Sequence, residues 1–210
     1  MKLYLVRHGE TQRNREHLVQ GQGVHGLTEL GARQALAAAH ALEKEGITAL
    51  YASPLVRALE TARLIGSNLG LHVQLAPGLE EMDTGELDGL TPAEMRSRYP
   101  EFMARWSRDA GSAHLPGGES LSIVLERAWR AVETIAKQHR EGNVAAVSHN
   151  FTICTLVCKA LDVPLSSFRR FRVDLGSISA IEFTGEQPRL VLLNSVSHVE
   201  GFEPQRSAAG

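Results

Sequence analysis

Short unbroken apolar runs alternate along the chain with longer stretches whose apolar residues recur at helical spacing. Residues 2–7 read as a buried strand that stops at the polar Arg7-His8-Gly9-Glu10. From Thr28 to Glu45, Leu30, Ala35, Leu36, Ala39 and Leu42 mark a helix face, with Thr28 as N-cap and Gly46 as stop. Residues 47–52 return as a strand. Ser53-Pro54 then offers a cap and a first-turn proline for a second helix, which carries Leu55, Ala58, Leu59, Ala62 and Ile65 as far as Gly70. Residues 72–75 form another short strand. A long helix is predicted from Ser120 to about His139, a strand over 144–147, a helix over 151–161, and strands over 178–183 and 190–194.

Strands alternating with helices predict an α/β fold: one three-layer domain over 1–205 with a mostly parallel sheet and helices on both faces. Residues 76–118 interrupt the alternation with Pro77, Gly78, Gly85, Gly89, Pro92, Pro100, Pro116, Gly117 and Gly118, so they read as a lid-like insertion. Within it Thr91-Pro92-Ala93-Glu94 is a capping box that starts a short helix, interrupted at Pro100. Residues 206–210 read as a flexible tail. Sheets of this kind bind ligands at the carboxyl ends of their strands. His8, the segment Ser53 to Arg57, and His149 all fall there.

Composition narrows the partners. The 22 Lys and Arg against 24 Asp and Glu leave no general field for nucleic acid or a membrane surface, so neither is an expected partner. Any pull on anions must be local. Cys154 and Cys158 suit neither a redox pair nor a zinc knuckle and read as small buried hydrophobes. The apolar run after Met1 and Lys2 is too short for a signal peptide or a membrane span, and a cytoplasmic protein is expected. Oligomeric state is not legible, and a homodimer stays open.

The local pull comes from arginines. Arg7 and Arg57 offer planar guanidinium forks that match phosphate oxygens, and neighbouring backbone N–H groups can add donors. Cations around His8 would depress its pKa and favour the neutral imidazole, whose free nitrogen can attack phosphorus. His149 supplies a second imidazole. No metal-ligand set such as HExxH is present, so no metal and no cofactor are expected.

Leu5-Val6-Arg7-His8-Gly9-Glu10-Thr11 with Asn14 resembles the R-H-G-x-T-x-x-N signature of the histidine phosphatase, or phosphoglycerate mutase-like, superfamily. Further matches follow in family order. They are Leu27-Thr28-Glu29-Leu30-Gly31, Ser53-Pro54 with Arg57-Ala58 and Thr61-Ala62, Leu79-Glu80-Glu81 through Gly85 to Gly89, Gly117-Gly118-Glu119-Ser120, Val147-Ser148-His149, and Leu193-Asn194 with His198. The resemblance implies a phosphoglycerate mutase-like fold and a phosphatase of small phosphorylated metabolites. It implies His8 as the phosphorylated nucleophile, Arg7, Arg57 and His149 as binders of the phosphoryl group, and Glu81, rather than Glu80, as proton donor to the leaving alcohol. Asn14, Gln20, Gly21 and Asn150 are the candidate substrate contacts.

The chain departs from the family pattern at Val24-His25-Gly26, at Leu87 and at Asn150. The first two lie in segments expected to frame the leaving group. The stretch Gly85 to Leu90 resembles the shorter phosphatase form rather than that of the mutases, which return the phosphoryl group to a phosphoglycerate. A binding module without chemistry is the other rival, and a mere binder has no need of Glu81. Within the lid, Arg96, Arg98, Arg105 and Arg108 are interleaved with Met95, Tyr99, Phe102 and Trp106, which predicts a preference for substrates with a second anionic group.

Overall fold

β1 (Lys2–Arg7) is apolar on both sides because it is covered on both sides. In the computed structural model, which describes residues 1–184 and 187–201, its side chains alternate between two cores. Leu3 and Leu5 enter one and Tyr4 and Val6 the other. β2 (Ile47–Ala52) and β4 (Asn143–Ser148) divide in the same way: Ala49, Tyr51, Val144 and Ala146 face the first core, and Leu50, Ala52, Ala145 and Val147 the second. The three strands therefore share one pleat, and their ends arrive side by side.

Among the described residues the sheet has six strands in the order β3-β2-β4-β1-β5-β6, with β3 at Val73–Leu75, β5 at Ile178–Glu182 and β6 at Arg189–Ser195. Pairings from β3 through β1 are parallel, and those of β5 and β6 are antiparallel. The mostly parallel expectation holds. Helices α2 (Glu29–Glu43) and α3 (Val56–Leu69) bury Ala38, Ala39, Leu42, Ala58, Ala62 and Ile65 on one face of the sheet. Helices α6 (Leu121–Gln138) and α7 (Asn150–Ala160) cover the other with residues such as Leu121, Val124, Ile153 and Leu156. Three layers result. Among the described residues no helix is long and apolar enough to cross a membrane.

The predicted boundaries mostly hold to within a residue or two, with two informative differences. Ser53 does not cap α3, whose N-cap is Leu55 without a side-chain hydrogen bond; the Ser53 hydroxyl is engaged with His149 instead. The insertion is also more regular than its turn-formers suggest. After a 3₁₀ turn at Gly85–Leu87 come α4 (Pro92–Arg98) and α5 (Pro100–Arg108). Thr91 and Glu94 form the predicted capping box, and Pro100 starts a new helix as well as ending the old one, since proline is tolerated in a first turn. A four-residue helix, α1 (Gln12–Arg15), and 3₁₀ turns at Leu165–Arg170 and Ser197–Val199 carry too little periodicity to be seen in sequence. The predicted tail at 206–210 lies outside the described residues.

Candidate active site

Parallel register fixes the first contacts. Arg7 pairs with Ser148 and Ala52 with Val147, so the next residue on each strand, His8, His149 and Ser53, clusters at one rim. The rings of His8 and His149 lie 5.1 Å apart between centroids. After His8 the chain turns through Gly9, against which the start of α2 is pressed. A Cβ on Gly9 would lie 2.2 Å from the Gly31 carbonyl oxygen, and one on Gly31 would lie 2.1 Å from that of Glu10. Only a pair of glycines lets these segments meet, which gives the Leu-Thr-Glu-Leu-Gly match a physical reason.

The buried imidazole of His8 is fixed at both nitrogens. Its Nδ1 is 2.7 Å from the Gly9 carbonyl oxygen, which can only accept, so Nδ1 carries the proton. Nε2 keeps its lone pair and accepts from Arg57 Nε at 3.3 Å. Burial, then Arg57 and Arg7, hold the His8 pKa well below that of an ordinary histidine. The neutral form expected from the sequence is therefore the stable one.

Arg57, in the first turn of α3, is 1% exposed. Its other nitrogens donate to the carbonyls of Gly21 at 2.7 Å and Gly23 at 3.3 Å. Burial lowers its pKa to about 10, so it remains a cation near neutrality. Thr61 ties this turn to the nucleophile candidate, donating its hydroxyl to the Arg57 carbonyl and accepting the Gly9 N–H. Arg7 donates from Nη1 to the Val173 carbonyl at 2.7 Å, while its buried Nε has no hydrogen-bond partner among the described residues. The Val173 turn is held in turn by Asn194, which bonds Asp174 through both side-chain atoms, and by His198 on the Gly176 carbonyl. Asn194 and His198 thus support Arg7 from behind.

His149 is wholly buried, with Nε2 2.8 Å from the Ser53 hydroxyl oxygen. That oxygen also accepts the Leu55 N–H, so its own proton is free to go to Nε2. Nδ1 then bears the ring proton, and it is buried with no partner among the described residues. Burial and then Arg57, His8, Arg7 and Arg127 push the His149 pKa well below normal. A neutral donor thus stands beside the neutral imidazole of His8.

The two adjacent carboxylates separate cleanly. Glu81 is 5% exposed and accepts from the Met82 N–H at 2.9 Å and the Phe151 N–H at 3.2 Å. Burial raises its pKa, against the opposing pull of the Met82 N–H, Arg57, Arg7 and the Phe151 N–H. Glu80 instead accepts the Gly78 N–H at 2.6 Å and lies 3.6 Å from Arg127. Only Glu81 shares electrostatics with Arg7 and Arg57.

The four candidate contacts divide. Gln20 accepts from the Thr11 hydroxyl and leaves a buried Nε2 donor unpartnered among the described residues. Asn14 is committed through Oδ1 to the capping box of α1, bonding Thr11. Gly21 gives its N–H to Asp88 at 2.8 Å, and its carbonyl accepts from Arg57, so its backbone supports the cation. Asn150 opens α7 directly after His149, and its Oδ1 faces the Cys154 thiol at 4.0 Å.

Sequence reasoning missed Ser53 as the partner of His149, as well as Thr61, Asp88, Asp174 and Arg127. Asp88 joins the Gly21 segment to Arg13 at 3.2 Å, near His25, whose pKa is lowered by burial, Arg13 and Arg57. In α4 and α5, Arg96, Arg98, Arg105 and Arg108 are all exposed, and Arg98 pairs with Glu94 at 3.5 Å. The inward positions belong to aromatics. Trp106 packs between Phe102, Phe151 and Phe168, with the Arg169 guanidinium over its face and bonded to its carbonyl.

A histidine and two arginines gathered at strand ends in this topology define a superfamily. The sequence profile of the histidine phosphatase superfamily (branch 1) matches residues 3–196, and the chain belongs to that superfamily. A bifunctional protein of Mycobacterium tuberculosis is 40% identical over 183 residues, covering 87% of this chain and 50% of that protein. The chain thus spans half the length of the mycobacterial relatives it matches. Phosphoserine phosphatase 1 of Hydrogenobacter thermophilus is 33% identical across 96% of both chains. Among solved structures, a mycobacterial glucosyl-3-phosphoglycerate phosphatase in complex with VO3 superposes with a TM-score of 0.85 at 29% identity, covering 92% of this chain and 99% of that one.

Proposed function

We propose that this chain hydrolyses a phosphomonoester of a small metabolite through a phosphohistidine on His8. The observation that carries the proposal is the state of that ring: Nδ1–H is fixed on Gly9 and a lone pair is held on Nε2 beside Arg57. Nε2 forms the N–P bond as the ester P–O bond breaks. The leaving oxygen takes its proton from Glu81, whose raised pKa supports the acid form. Glu81, now ionised, takes a proton from water, the water oxygen bonds to phosphorus, and the N–P bond breaks to release phosphate.

Charge stabilisation falls to the residues around the phosphoryl group. Arg7 Nε, His149 Nδ1–H and Gln20 Nε2 are buried donors without partners among the described residues, suited to equatorial oxygens, and Arg57 adds its charge at the attacking nitrogen. The names of the relatives, phosphatases of phosphoserine and glucosyl-3-phosphoglycerate, support this reaction class. Phosphate release from p-nitrophenyl phosphate in the presence of a chelator tests it. Rapid acid quench with labelled substrate should trap an acid-labile, base-stable phosphoenzyme. A chelator-sensitive rate, or the same label on a His8→Ala variant, would refute the reading.

A further inference from the structure

Glu81 lies on an irregular segment between β3 and the Gly85 turn, and irregular backbone does not by itself hold a carboxyl to within the tolerance of proton transfer. One side chain from another layer does the holding. Arg127, on α6, donates from Nη1 to the carbonyls of Gly78 and Glu80, both at 2.8 Å, and from Nη2 to that of Glu81 at 2.9 Å. Its remaining two donors form a bidentate pair with Glu119 at 2.9 Å each. All five N–H donors of the guanidinium are thereby engaged.

Glu119 extends the grip in the other direction. Its Oε2 accepts the Asp83 N–H at 2.9 Å, and its own N–H donates to the Asp83 carbonyl at 2.9 Å. The backbone is thus anchored at Gly78, Glu80, Glu81 and Asp83, on both sides of the Glu81 side chain. Gly78 adopts φ +100°, and a Cβ there would lie 2.7 Å from the Arg127 carbonyl oxygen, so the segment lies directly on α6. Thr152 and Ser148 add one bond each, to the Glu80 and Leu79 carbonyls. Gln22 donates to the Glu81 carbonyl at 3.0 Å, and among the described residues Arg127 alone bonds three of these carbonyls together with the Glu119 carboxylate.

We infer that Arg127, braced by Glu119, is a positioning residue for the proton donor: it sets where the Glu81 carboxyl stands without touching the reacting atoms. The inference rests on the acid role given to Glu81 above. Lysine at 127 would keep the charge but could not bond three carbonyls and a carboxylate from fixed directions.

The test compares Arg127→Lys and Glu119→Gln with the parent on p-nitrophenyl phosphate and on an unactivated alkyl phosphate such as glycerol 3-phosphate. Each variant should lose about tenfold in kcat on the alkyl ester, several times more than on the aryl ester, since only the alkoxide needs the proton. Inhibition by inorganic phosphate should change less than about twofold, because Arg7, Arg57 and His149 stay in place. The alkaline limb of the alkyl-ester pH profile should move to lower pH as Glu81 gains solvent and loses part of the rise that burial gives it. The double variant should be no worse than the worse single one, as expected for one coupled unit.

Equal losses on both esters, or an unmoved alkaline limb, would overturn the inference, and if Arg127→Lys does not fold, Glu119→Gln decides it alone. Glu81→Gln on the same esters separates the two readings. If that change discriminates between the esters and the Arg127 and Glu119 changes do not, only the positioning role falls. If it does not discriminate, the acid role falls, and this inference with it.

Discussion

The rim of the sheet and the insertion above it are built on opposite principles. At the rim, polar pairs join residues far apart in sequence: Arg57 reaches His8, His149 reaches Ser53, and Arg7 reaches Val173. Strand register brings His8, Ser53 and His149 to one place. The helical part of the insertion, α4 and α5, is held through packing, by Phe102 and Trp106 against Phe151 and Phe168, and its arginines are exposed. Packing tolerates exchange of shape far better than a hydrogen-bonded charge cluster tolerates loss of a member. The hydrogen-bonded rim is therefore fixed, while α4 and α5 are free to vary.

The sharpest way to break this contrast is at His8. His8→Ala should lower turnover by about four orders of magnitude or more while circular dichroism and melting stay near the parent, because it removes the attacking atom and no large contact. Appreciable residual hydrolysis would move the nucleophile elsewhere. Next comes Glu81→Gln, expected to cost about a hundredfold or more on alkyl esters and much less on p-nitrophenyl phosphate. Glu80→Gln should be mild on both, since its carboxylate is turned toward Gly78 and Arg127.

Ser53→Ala should cost about tenfold in kcat/KM with every ester alike, the loss of one buried hydrogen bond that sets the His149 tautomer. A selective loss would show that Ser53 acts on the leaving group instead. Acid sensitivity probes the same rim. His8 and His149 are both held neutral by burial, so the unfolded chain binds more protons than the folded one once pH drops below 6.5. Stability from these two rings is present above that value and is lost as pH falls through their depressed folded values. Urea midpoints measured from pH 7 downward should fall, and a His149→Gln variant should fall less steeply. The smallest effect is expected in the lid, where Arg105→Ala and Arg108→Ala should each alter stability by no more than about 0.5 kcal/mol and leave the substrate ranking unchanged. A changed ranking would support the second-anion preference that the sequence suggests.

Legibility in the sequence follows the same division. β1, β2 and β4 end abruptly where apolar runs meet Arg7, Ser53 and Ser148, so the rim could be placed before any coordinates, and family motifs supplied Glu81 over Glu80. Partner choice was not legible. Ser53-Pro54 reads as a cap because that is its commonest local use, and only β2 lying beside β4 brings Ser53 to His149. Arg127 sits among ordinary helix residues, and its five bonds reach residues up to 49 positions away, beyond any periodic signal. The arginines of α4 and α5 show the converse limit: interleaved charges and aromatics predict a two-faced helix but not which face turns inward.

The contact between Gly9 and Gly31 has a consequence for anyone reading variant libraries of this protein. A Cβ on Gly9 would strike the Gly31 backbone and one on Gly31 the backbone of Glu10, so the two positions guard one close approach, and a side chain added at one finds no room through a change at the other. A Gly31→Ala clone would score as catalytically dead although it lies 23 residues from His8 and removes no reactive atom. Saturation mutagenesis would then mark Gly31 as part of the chemistry, when what it records is a distance of closest approach.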